Sequence, residues 1–287
     1  MTIQMPVTWA WQRLKTAVHS VGSAAPDEYW AEADARSAVP AVRRIGLADI
    51  RYALEKGLED FAANRTDVIF LCVIYPVVGL ALGWLVFGYG VMHLLFPLAS
   101  GFALTGPFAA VGLNEMSRRR EQGGEPNWLD AFGVVRSPSF GAIVLLGLLL
   151  AEIFVVWLVA AEAIYYFTLG PKPPVSIASF AHDLFLTGAG WALIIVGIGV
   201  GFLLAVVVLA ISVVSFPLLL DRNVDQGTAV RTSIRAVLLN PDTMAVCGLI
   251  VAAGLVIGSV PFLIGLAVVM PVLGHATWHL YRRVVPR

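Results

Sequence analysis

Long apolar runs alternate with short polar ones along this chain, and most runs have the length of a membrane helix, about 20 residues. They predict spans at about 68–87, 91–113, 140–167, 188–217, 244–259 and 261–280. The fifth is short for a hydrocarbon core of about 30 Å, which implies little tilt or an end below the far interface. The third and fourth are longer than a crossing needs, which implies tilt or protrusion.

Between the runs the apolar period changes to that of a half-buried helix. Over residues 45–63, Leu47, Ile50, Leu54, Leu58 and Phe61 form one stripe, and Asp49, Arg51, Glu55, Lys56, Glu59 and Asp60 face away from it. Arg51–Glu55 and Lys56–Asp60 have the i,i+4 spacing of ion pairs. Trp128 to Val135 makes a shorter amphipathic run. Thr228 to Leu239 makes a third, with Val230, Ile234, Val237 and Leu238 opposed to Arg231 and Arg235. Each run precedes an odd-numbered span, and Asn240-Pro241-Asp242 echoes the stretch Asn64 to Asp67. The predicted fold is therefore all-α: a six-transmembrane-helix bundle of three parallel helical hairpins, each led by a cytoplasmic amphipathic helix. Residues 1–44 form an arm and linker, 45–283 the membrane domain and 284–287 a tail. The repeat units are about 45–119, 126–222 and 226–283.

Units one and three also agree in sequence. From Cys72 to Gly79-Leu80 and Gly83 the offsets are 7 and 11, as they are from Cys247 to Gly254-Leu255 and Gly258. From Pro97 to Gly101, Pro107 and Arg118-Arg119 they are 4, 10 and 21, as they are from Pro261 to Gly265, Pro271 and Arg282-Arg283. Duplication explains this agreement, and the second unit shares the layout alone. Units of one orientation are related by an axis along the membrane normal.

Composition sharpens the picture. The chain of 287 residues is 59% hydrophobic and 13% charged, against about 25% charged in soluble domains, and its mean hydropathy is +0.83. The formal net charge is zero, so no basic field recruits nucleic acid. The arm up to residue 66 holds 8 of the 19 Lys and Arg, the regions near 114–139 and 218–243 hold 4 and 3, and the tail holds 3. Lys172 alone lies on the other side. By the positive-inside rule both termini are cytoplasmic. No continuous apolar core marks a signal peptide near the N-terminus, so the first span is expected to serve as its own insertion signal. The two cysteines read as small buried hydrophobes.

Few residues suggest chemistry. Glu152 falls about 18 Å into the third span, near mid-bilayer. It is expected to face the bundle, with Ser100 and Thr105 as partners at that depth, either as a proton or cation relay or as a neutral carboxyl hydrogen-bonded between helices. His275 and His279 share a helical face at a spacing that suits a metal pair, but no third ligand accompanies them, and with Trp278, Tyr281 and the two arginines they read as an ordinary interfacial girdle. Glu115, Arg118, Arg119, Asp221, Arg222, Asp225, Arg282 and Arg283 gather at the inner helix ends, as an ion-paired collar for lipid phosphates or a substrate vestibule. Pro107, Pro217 and Pro271 should each free a carbonyl one turn back and bend the even-numbered helices. Gly101 and Gly265 allow close packing or frame a small cavity. No nucleotide-binding, zinc-protease or nucleophile-elbow motif is present.

Three motifs carry a resemblance: Phe96-Pro97 through Gly106-Pro107 to Ser117-Arg118-Arg119, the run Val214 to Arg222, and the run Gly274 to Tyr281. Over about residues 45–283 the chain resembles a bacterial family of predicted integral membrane proteins of unassigned function, some labelled as cytochrome c oxidase. The resemblance supplies no activity, cofactor or site residue. A haem held by two histidines needs imidazoles from facing helices at one depth, and His93 falls at the end opposite His275 and His279. The expectation is a non-catalytic accessory, assembly or scaffold component of a membrane complex in the bacterial inner membrane, without a cofactor. Its partners are lipid and either other subunits or itself. A small transporter or channel using Glu152 is the alternative, and an oxidase-associated redox subunit the third reading.

Overall fold

The computed structural model describes residues 40–63, 74–88, 91–260 and 263–286. Expectations for the arm, for Asn64 to Asp67, for Cys72 and for Pro261 lie outside these residues. The described residues are helical, with no strand among them. In chain order the helices are α1 (Leu47–Ala63), α2 (Ile74–Gly88), α3 (Leu95–Leu104), α4 (Gly106–Ala109), α5 (Val111–Glu121), α6 (Phe140–Thr168), α7 (Ile177–Leu186), α8 (Gly188–Ser212), α9 (Ser215–Asp221), α10 (Gln226–Leu239), α11 (Pro241–Ser259) and α12 (Leu266–Val284). Short 3₁₀ turns cover Met92–Leu94 and Trp128–Arg136. Among the described residues three helical stretches are long and apolar enough to cross a membrane: α6, α8 continued through α9, and α11.

The prolines account for two of the interruptions. α3 stops at Leu104, and α4 starts with Pro107 in its first turn, where a missing N–H does no harm. α8 stops at Ser212, and α9 restarts with Pro217 in its first turn. At that break the Val214 N–H donates to Ser233 Oγ of α10 at 3.2 Å in a buried setting. Pro271, by contrast, sits inside an unbroken α12. The expectation of a bend at each proline is thus met by a break at two positions and by a continuous helix at the third.

The amphipathic helices dock mainly through small side chains, with only part of each apolar stripe packed beside them. α1 lies along α12 through Ile50, Ala53, Gly57 and Asp60, and Leu47 and Leu58 stay exposed. A Cβ on Gly57 would sit 2.7 Å from the Ala276 nitrogen and the Val272 oxygen, so the two backbones touch there. α10 likewise buries Thr228, Ala229, Thr232, Ser233 and Ala236 and leaves Leu238 exposed. Small side chains allow closer helix approach than Leu or Ile would. The inward placement of Asp60 also corrects its expected pairing: Lys56 bonds Glu59 at 2.6 Å instead, and Arg51–Glu55 forms at 2.8 Å.

The core joins α6, α8, α9, α10 and α12 through Ile143, Leu146, Leu150, Val208, Phe216, Leu219, Ala229 and Trp278. Gly101 lies against Phe154 and Trp157, and Gly265 against the backbone of Gly258, so both glycines serve close packing. A ten-residue helix, α7, occupies the segment between α6 and α8, capped by Ser176 and followed by Thr187 as the cap of α8.

Candidate functional site

The close seat of α1 on α12 carries Asp60 to the polar face where His275 and His279 stand one turn apart. α5 supplies the third side. Ser117 Oγ donates to Asp60 Oδ2 at 2.6 Å and lies 2.8 Å from His275 Nδ1. His279 Nε2 is 2.8 Å from the same Asp60 oxygen, and Arg120 Nη1 is 3.4 Å from Oδ1. A serine hydroxyl has one proton. If that proton goes to Asp60, His275 must donate from Nδ1, and His279 must donate from Nε2 to the carboxylate. His275 Nε2 is buried and makes no hydrogen bond of good geometry among the described residues, with the Leu113 backbone near the ring. The amide oxygen and nitrogen of Asn114 on α5 are also buried without a hydrogen-bond partner among the described residues.

Burial pushes the Asp60 carboxyl up, but hydrogen bonds from His279 and Ser117 outweigh it and hold the group below its ordinary value. An open cleft of about 490 Å³ flanks this network, lined among others by Tyr52, Lys56, Arg120, Glu121, His279 and Arg282. Sequence reading missed Asp60 and Ser117. The signal for them was the small-residue line Ala53–Gly57 together with the histidine pair. Among the described residues no three His, Cys, Asp or Glu side chains converge as metal ligands: His275 turns to Ser117 and His279 to Asp60.

The collar residues pair with one another. Glu115, 3% exposed, takes two hydrogen bonds from Arg118 at 2.7 and 2.8 Å and one from Arg119 Nε at 2.8 Å. Arg119 continues to Asp130. Asp221 accepts from Tyr281 at 2.6 Å and from Arg282 at 3.1 Å, and Arg222 Nε stands 3.8 Å away. Glu121 joins Arg282 and the Trp278 indole at 3.1 and 3.0 Å. Arg283 bonds Asp49 at 2.6 Å. Asp225 does something else: it caps α10 through the Thr228 N–H.

The expected mid-span group is not assembled. Trp157, not Glu152, meets Ser100: its indole N–H donates to the Pro97 oxygen at 2.9 Å and to Ser100 Oγ at 3.1 Å. Glu152 is exposed and has no hydrogen-bond or ion-pair partner among the described residues. The two positions are five residues apart, about 140° around a helix, and the bundle takes the face of Leu146, Leu150, Trp157 and Ala161. Thr105 follows α3 as the N-cap residue of α4. At the far end of α6, His93 Nε2 pairs with Glu162 at 2.8 Å and stacks on Tyr165 with ring centroids 4.1 Å apart.

Residues 95–221 match the family model described as "Predicted integral membrane protein (DUF2189)". The first of the three motifs that carry the resemblance falls inside this region, the second, Val214 to Arg222, lies within it except for its last residue, and Gly274 to Tyr281 lies beyond it. No curated protein and no solved structure matches the chain.

Proposed function

With residues 95–221 matched to a family of integral membrane proteins of unassigned function, we propose that the protein is a non-catalytic component of a membrane complex, acting through association. In this reading the membrane domain has six spans in three parallel hairpins, sits in a bacterial inner membrane and keeps both termini on the collar side. The supporting observation is where the ionisable groups are. Those of the collar bond one another across α1, α5, α9 and α12, and the mid-span carboxyl group of Glu152 points away from the bundle. A conduction path through the bundle would need that group inside it. A bis-histidine haem would need facing imidazoles, and His93 is tied to Glu162 on the far turns of α6. Purification from native membranes in mild detergent tests the proposal. Stoichiometric membrane proteins accompanying the chain are the expected result, and solute flux in liposomes that Glu152→Gln abolishes would overturn it.

A further inference from the structure

The outward face of α6 is unlike an ordinary lipid-facing surface. Leu145, Leu148, Val155 and Val159 are each more than half exposed, and Glu152 stands at the centre of their line. The positions 145, 148, 152, 155 and 159 recur at steps of three and four, the spacing of a helix seam. Acyl chains satisfy Leu and Val but offer a carboxyl no hydrogen bond. The exposed side chains within α8 contain no ionisable group, so lipid suffices there. Glu162, near the end of α6, already has His93 as its partner. Glu152 is therefore the mid-helix ionisable group that the described fold leaves unanswered.

We propose that a second copy of this chain covers this face, with α6 packed on α6 in parallel and the two Glu152 carboxyls hydrogen-bonded to each other. This rests on the association reading above and names the partner. A two-fold axis along the membrane normal places each residue of the seam opposite itself at its own depth. A protonated carboxyl is both donor and acceptor, so Glu152 is complementary to Glu152 without any matching group having to come from elsewhere. The three-four spacing lets two such helices pack at a shallow crossing angle.

The test uses full-length protein in phosphatidylcholine–phosphatidylglycerol vesicles over a range of protein-to-lipid ratios, in a Cys72→Ala/Cys247→Ala background. Single cysteines are introduced by Leu148→Cys and Val155→Cys on α6, and by Leu249→Cys and Val256→Cys on the exposed face of α11 as controls. Oxidation should give covalent dimers from the α6 cysteines at dilutions where the α11 cysteines give none. In resonance energy transfer between labelled copies, Glu152→Ala should weaken association by about three- to tenfold. Glu152→Gln, whose amide also both donates and accepts, should stay within about twofold of the parent. Equal crosslinking of both helices, monomer at every dilution, or an unchanged Glu152→Ala variant overturns the proposal. If self-association fails while other membrane proteins still co-purify, the seam alone is wrong. If neither occurs, the association reading falls with it.

Discussion

At the scale of single residues, Asp60 is the point where the polar network closes. Its carboxylate receives Ser117 and His279 on one oxygen and faces Arg120 with the other, so removing the charge weakens both hydrogen bonds and sets an amide N–H against Arg120. Asp60→Asn should lower stability at neutral pH by about 1–3 kcal/mol. The pH dependence has a defined sign. A carboxyl held below its ordinary value of 3.8 in the folded protein contributes stability that is present above about pH 4. That contribution is lost as pH falls through the lower folded value. Thermal unfolding in detergent micelles between pH 7 and pH 3 should show a steeper acid limb for the parent than for Asp60→Asn. Some slope should remain in the variant, because Asp49 and Asp225 are also held low, each by hydrogen bonds and nearby arginines that outweigh burial. Superimposable acid limbs would remove Asp60 from this role.

At the scale of elements, the sequence located helices better than it oriented them. The apolar runs at 140–167 and 188–217 and the amphipathic run at 45–63 match α6, α8–α9 and α1 to within a few residues. The apolar stripes are met in part: Ile50, Leu54 and Phe61 of α1 and Val230 and Val237 of α10 pack on the core, whereas Leu47, Leu58, Ile234 and Leu238 stay exposed. The closest approach is made by small residues, Ala53 and Gly57 in α1 and Thr228, Ala229, Thr232, Ser233 and Ala236 in α10, since backbone approach depends on the absence of bulk. In α6 the inward face was assigned from one carboxyl, whereas the packing follows Trp157 and the Leu146–Leu150 line. Gly57 carries a direct consequence. Gly57→Val would drive a branched side chain into the Val272–Ala276 backbone and should cost about 1–3 kcal/mol or detach α1 altogether. Limited proteolysis should then cut within residues 47–63 faster than in the parent protein, while cleavage elsewhere stays unchanged. Equal cutting rates would mean that the α1–α12 contact is looser than a backbone-to-backbone seat.

At the scale of the whole membrane domain, the two ends of α6 are chemically different. Near its start stand Arg119, Asp130 and the arginine-rich end of α5; near its finish stand His93, Glu162 and Tyr165, with the Tyr165 hydroxyl on the Lys172 oxygen. A helix of 29 residues is about 43 Å long, longer than the hydrocarbon core, so the two ends can reach opposite interfaces. In the proposed orientation the collar lies on the cytoplasmic side, where Lys and Arg are retained during insertion. Beyond α6, α8–α9 and α11, the remaining expected crossings are less plain: the stretch 95–121 is cut into α3, α4 and α5, and the 19-residue α12 carries Arg282 and Arg283 at its end. Orientation is therefore best measured at positions flanking α6. A cysteine introduced by Val175→Cys, at a residue 97% exposed, should react in intact cells with a membrane-impermeant thiol reagent. One introduced by Gln122→Cys, at the exposed end of α5, should react only after the membrane is opened. Labelling of both from outside would place the arginine collar and the α7 segment on one face, and the even number of crossings inferred from the charge census would then have to be abandoned.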